Sequence, residues 1–165
     1  MRGEKRGFTL AELMFVVVIL GVLTMLAVNA FHRPLVSTRG LEPGHFLLSV
    51  RASQENYLSQ HGEYLGDLQP DAWPAQVPVG EKANWGIPDN DWYSVERPPR
   101  STWFRYTMVA GHAGEDAPAG APPGLDTSRP WFWAYAEGDA DGDGRYSLFE
   151  ITSQRDSVYS EDDTE

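Results

Sequence analysis

Cysteine is absent from the 165 residues of this chain. No disulfide can staple its core, and it has no thiol nucleophile. Histidine is scarce: His32, His45, His61 and His112 lie far apart, without metal-ligand spacing. No G-x-S-x-G, no H-E-x-x-H and no glycine-rich phosphate cradle occurs, so nothing in the chain assembles a recognisable catalytic set. Positive charge is also short. Against 24 acidic residues stand 13 Lys and Arg, giving a net charge of −11, with no basic run beyond Lys5-Arg6. Phosphate backbones are gripped by clustered Lys and Arg, so nucleic acid is not an expected partner.

What the chain does have is concentrated at its start. A basic leader with Arg2, Lys5 and Arg6 ends in Gly7-Phe8-Thr9-Leu10-Ala11-Glu12. Leu13 to Ala30 follows with only Thr24 and Asn29 polar. About 20 apolar residues cross a bilayer as a helix, and the basic flank predicts an N-in orientation. A secretory signal peptide has a shorter apolar stretch and its cleavage site after it, so that reading does not fit. A plain signal anchor accounts for everything except Glu12. A carboxylate at membrane depth is costly and usually has a partner.

This segment resembles the N-terminus of type IV pilins and type II secretion pseudopilins. The resemblance implies a leader of residues 1–7 and cleavage between Gly7 and Phe8 by a prepilin peptidase. It also implies a membrane and filament-core helix over residues 8–32, surrounded by lipid before assembly. Glu12 becomes the fifth residue of the mature chain, and its implied partner is the freed amine of Phe8 on a neighbouring identical or related subunit. An inner-membrane platform and a cytoplasmic ATPase would drive assembly. The chain would wait as a single-pass inner-membrane protein and end in a periplasmic or cell-surface filament. Many such subunits carry a proline where this chain has Asn29, and many close their C-terminal region with a disulfide that this chain cannot form.

Residues 33–165 read as one α+β domain, a helix packed on a small antiparallel sheet. Pro34, Gly40, Pro43 and Gly44 predict a kink or break of the N-terminal spine helix near 33–44. Phe46, Leu47, Val50, Tyr57 and Leu58 predict a helix over 43–61, capped at Gly62. Residues 65–100 read as an irregular loop of the αβ region, with Trp73, Trp85 and Trp92 clamped onto the sheet rather than displayed as a ligand platform. The sheet is expected within 103–160, with strands near 103–109, 131–136, 148–152 and 157–159. The Gly-, Ala- and Pro-rich stretch 111–130 is expected to be mobile, and Glu161 to Glu165 a solvated tail.

A second motif lies in that sheet region. Residues 139–150 satisfy D-x-D-x-D-G-x5-E, the twelve-residue calcium loop. Asp139, Asp141 and Asp143 take positions 1, 3 and 5, and Gly144 allows the turn. Arg145 offers only its backbone carbonyl, Ser147 acts directly or through water, and Glu150 supplies the closing carboxylate. Strand-like residues precede the loop and only one copy is present, so it reads as a structural Ca2+ clip rather than a regulatory EF-hand pair. Such a clip would take the place of the missing disulfide; similar calcium-stapled C-terminal regions occur among pseudopilins. The bland alternative is a solvated acidic turn. Two functions follow: a calcium-stabilised pilin, minor pilin or pseudopilin of a type IV pilus-like or type II secretion filament, or a non-polymerising, membrane-anchored calcium-binding adhesin or recognition module.

Overall fold

The computed structural model describes residues 8–69, 71–86, 92–96 and 100–161. The chain divides between Leu35 and Val36 into two compact units, each taken here by itself.

The first unit is built on helix α1 (Leu10–Arg39). Its stretch Leu10–Ala27 has a mean hydropathy of 2.5, and none of it is buried. Leu13, Phe15, Ile19, Leu23 and Leu26 are all exposed. No face of this stretch is polar, the pattern of a helix whose solvent is lipid or other helices rather than water. Thr24 donates its hydroxyl to the Leu20 carbonyl at 2.7 Å, which hides that polar group on the helix itself.

In the second unit, helix α2 (Leu41–His61) follows α1 with Gly40 alone between them. The expected interruption near 33–44 falls at Gly40, while α1 runs through Pro34. Gly40 itself keeps helical dihedrals, φ −63° and ψ −16°. Pro43 lies in the first turn of α2, where its missing N–H leaves no hydrogen bond unmade. Gly62 ends the helix at φ 80°, donating its N–H to the Leu58 carbonyl at 2.8 Å.

Helix α2 packs on a five-stranded antiparallel sheet made of β1 (Asp71–Trp73), β4 (Arg105–Gly111), β5 (Trp131–Gly138), β6 (Ser147–Thr152) and β7 (Tyr159–Glu161), in the order β1-β4-β5-β6-β7. Two residue pairs, β2 (Ala83–Asn84) and β3 (Ser101–Thr102), form a separate ribbon, and α3 (Trp92–Val95) is a single turn between them. Leu47 and Val50 of α2 face Tyr106, Met108, Ala134, Ala136 and Ile151, all buried. Residues alternate across the sheet, so Tyr106, Met108 and Ala110 of β4 share one face with Phe132, Ala134 and Ala136 of β5.

The aromatic clamp is present. Trp85 and Trp92 are buried against Phe46 and Tyr106, with Phe46 and Tyr106 ring centroids 4.4 Å apart. Trp73 is partly buried on β1 and donates its indole N–H to the Trp85 carbonyl. Gln54 is fully buried and spans the helix exit: its amide N–H reaches the Leu65 carbonyl at 2.7 Å, and its oxygen accepts the Leu65 N–H at 2.9 Å. Gln54→Leu leaves both Leu65 groups short of a partner. It should lower stability by about 2 kcal/mol, read as a drop in the urea midpoint at unchanged slope.

Residues 112–130 differ from expectation. They pack over the outer face of the sheet. Ala117, Ala121 and Leu125 pack on Val109, Trp131 and Trp133. Gly114 N–H bonds the Thr127 carbonyl at 2.7 Å, and Asp126 and Gln154 exchange two bonds of 2.8 Å. The composition suggested a loose loop, but its few apolar residues cover two tryptophans that would otherwise face water. Gly138, at the end of β5, admits no side chain: a Cβ there would sit 2.6 Å from the Trp103 carbonyl oxygen. Gly138→Ala should cost about 1–3 kcal/mol through overpacking, measured by thermal or urea unfolding.

Candidate functional site

At the N-terminus, Gly7 and the leader lie outside the described residues. Phe8 is exposed, and Thr9 caps α1. Thr9 and Glu12 form a reciprocal box. Glu12 Oε2 accepts the Thr9 N–H at 2.9 Å and the Thr9 hydroxyl at 2.8 Å, while the Glu12 N–H points back to Thr9 Oγ1 at 3.3 Å. Both bonds to the carboxylate fall on one oxygen. Glu12 Oε1 has no partner among the described residues, so the charge stays open to a second group. The capping box is written in the sequence as Thr9-Leu10-Ala11-Glu12, a signal that attention to the membrane charge passes over.

The second site is the turn between β5 and β6. Asp139, Asp141 and Asp143 each offer a carboxylate oxygen, and the three lie within 4.8 Å of one another. Asp139 is buried to 1% exposure, yet its carboxylate is well served: Oδ1 accepts the N–H groups of Gly142 at 2.7 Å and Asp143 at 3.1 Å, and Oδ2 accepts that of Gly144 at 3.0 Å. Asp141 Oδ1 takes the Asp143 N–H at 3.0 Å, and Asp143 Oδ1 takes the Arg145 N–H at 2.8 Å. A carboxylate has about four lone-pair sites, so each of the three keeps capacity for a cation after these bonds. The donor set is all hard oxygen, which suits Ca2+ or another hard divalent ion.

The backbone of this turn is held from outside. Asp139 donates to the Pro78 carbonyl at 3.2 Å and accepts from Gly80 at 2.7 Å, bringing 78–80 of the long loop against it. Arg39 donates to the Ala140 carbonyl and lies 4.0 Å from the centre of the Trp103 ring. Arg145 is exposed and has no ion pair among the described residues.

The last two sequence candidates lie on β6. Ser147 is buried as the first residue of β6. Glu150 stands opposite Tyr135 in the sheet, and its carboxylate meets Arg155 Nη1 at 3.2 Å. An exiting helix would turn loop position 12 back to the ion. Here β6 is extended and carries Glu150 about 10 Å along from Ser147. The structure therefore gathers the three aspartates and sets Glu150 outside that group. Glu137, the other nearby acid, pairs with Arg105.

A third feature is a cleft of about 310 Å³ at the opposite end of β5, lined by Tyr64, Asp67, Leu68, Gly111, His112 and Glu115 among others. Tyr64 donates to Glu55 Oε1 at 3.2 Å, and burial, with the Glu55 charge second, pushes its hydroxyl up to about 12. On the 112–130 loop, the Ser128 hydroxyl and N–H hold the Asp126 carboxyl below its usual range.

Residues 2–28 match the family described as the prokaryotic N-terminal methylation motif, the class III signal segment typical of type IV pilins and pseudopilins. Over this segment the chain is similar to type IV pilins and pseudopilins. The motif implies processing by a prepilin peptidase and marks structural subunits rather than enzymes. The exposed apolar helix and this motif together are consistent with an inner-membrane pilin-like chain. No curated protein and no solved structure matches the chain.

Proposed function

We propose that this chain is a structural subunit, a pilin, minor pilin or pseudopilin, of a type IV pilus-like or type II secretion filament. The observation that carries the reading is the methylation motif over residues 2–28, with one carboxylate, Glu12, at the mouth of an apolar stretch, Leu10–Ala27, of which none is buried. Cleavage between Gly7 and Phe8 frees an amine on Phe8. Glu12 Oε1 of one subunit takes that amine from the next and sets the register of the stack. Identical or related chains are the partners, with lipid around the helix before assembly and a membrane platform and ATPase supplying the work.

A Ca2+ ion held by Asp139, Asp141 and Asp143, with the Arg145 carbonyl and Ser147 completing the shell, closes the β5–β6 turn. It takes the role a disulfide would have in a cysteine-free domain. The reading is supported by the three converging carboxylates and their backbone bracing. The filament reading is tested by shearing cells that express the chain and looking for it in filaments by electron microscopy and antibody labelling. Filaments that contain the chain support the proposal. A chain that stays wholly in the membrane fraction, with its partner proteins present, refutes it.

A further inference from the structure

We propose that subunits meet head to tail through Arg145 of one copy seated in the acidic cleft of the next, a contact that rests on the filament reading above. Among the described residues, Arg100 and Arg145 are the arginines whose guanidinium has no carboxylate, carbonyl or ring partner, whereas Arg39, Arg51, Arg105, Arg129 and Arg155 are all engaged. Arg145 is exposed at the tip of the β5–β6 turn. Its backbone serves the turn through the bond to Asp143, so its side chain is left over.

The cleft offers the opposite charge. Asp67 Oδ1 accepts the Gln69 N–H at 2.6 Å, and Glu115 Oε2 accepts the His112 N–H at 2.7 Å. Each carboxylate is thereby fixed by the backbone through one oxygen, and the other oxygen, Asp67 Oδ2 or Glu115 Oε1, has no partner among the described residues. Glu63 adds a third negative charge at the rim, 3.5 Å from the His112 ring. Two anchored carboxylates facing one space suit a planar guanidinium, which donates several N–H groups from one fork. A space of about 310 Å³ has ample room for it.

Position makes the pair intermolecular. Strand β5 runs from Trp131, beside Gly111 at the cleft, to Gly138 at the turn, so the two features lie about 25 Å apart at opposite ends of the sheet. Helix α2 repeats this polarity. Glu42 in its first turn accepts the Trp103 N–H at 3.0 Å near the turn, and Tyr64 just past its end packs on Phe132 near the cleft, with centroids 4.9 Å apart. Complementary patches at opposite ends of one molecule cannot pair within it. Repeated in one direction from copy to copy, they make a heterologous contact, which grows as a helical stack where the rotation does not close a ring.

The test uses the full chain in its own cells. Leu68→Cys and Tyr146→Cys, flanking the two charges and introduced into a chain that has no other cysteine, are treated in sheared filaments with a short bismaleimide. A ladder of dimers, trimers and higher species is expected. Filaments that form and react with a monofunctional maleimide but give no ladder overturn the contact and leave the filament reading standing. A parent chain that forms no filaments removes both. In parallel, Asp67→Arg or Arg145→Glu alone should lower filament recovery about tenfold, and the two together should restore it. Loss with Arg100→Glu but not with Arg145→Glu would assign the contact to the wrong arginine and overturn it.

Discussion

Glu12→Gln abolishes filament recovery while leaving cleavage at Gly7 and the membrane level of the chain unchanged. Glutamine keeps a side-chain oxygen for the Thr9 N–H and hydroxyl, so the N-terminal cap of α1 survives. What it removes is the charge. If Glu12 acts by pairing with the amine of a neighbouring Phe8 in a low-dielectric helix bundle, the lost interaction is about 2–5 kcal/mol for every subunit added. A stack grown by repeated addition cannot absorb that loss. Shear fractions from cells carrying the parent, Glu12→Gln and Thr9→Val would be compared. If Glu12→Gln assembles like the parent and Thr9→Val does not, the carboxylate is a helix cap and no more.

Asp141→Ala melts like the parent in chelator but lower than the parent in millimolar calcium, whereas Asp139→Ala melts lower in both. The two aspartates separate the ion from the turn. Asp139 is buried and its carboxylate accepts three backbone N–H groups whether or not a cation is present, so truncating it opens the turn. Asp141 accepts one, and its loss is felt mainly through the ion. An ion present at a hundred times its dissociation constant stabilises the folded form by about 2.7 kcal/mol. For a domain of this size that is about 8–10 °C in Tm. A parent chain whose Tm is the same in calcium and in chelator would show that the turn stands without an ion.

Much of this arrangement is legible in the sequence where one physical signal dominates. The apolar run from Leu13 marks a helix long and apolar enough to cross a membrane, and Pro43 and Gly62 bracket α2 within two residues of where it begins and ends. The β-branched and aromatic runs locate β4, β5 and β6. The remainder depended on contacts remote in sequence. Strand β1 is three residues long and exists because Trp73 pairs with Tyr106, more than thirty positions away. The 112–130 loop looked mobile by composition, yet Trp131 and Trp133 on the outer face needed a cover. The calcium pattern specifies Asp139, Asp141 and Asp143 locally, because alternate residues of a tight turn converge. It cannot specify Glu150, whose place depends on whether a helix or a strand leaves the loop, and β6 leaves as a strand because it pairs with β5. Thr9 was readable as a cap from its spacing to Glu12 alone.

The most direct measurement is the intact mass of the chain recovered from the sheared surface fraction. The account predicts a chain beginning at Phe8, lighter by residues 1–7 and carrying a methyl group on its amine. A chain in that fraction that retains its first seven residues would contradict it, because no freed amine would then exist for Glu12 to meet.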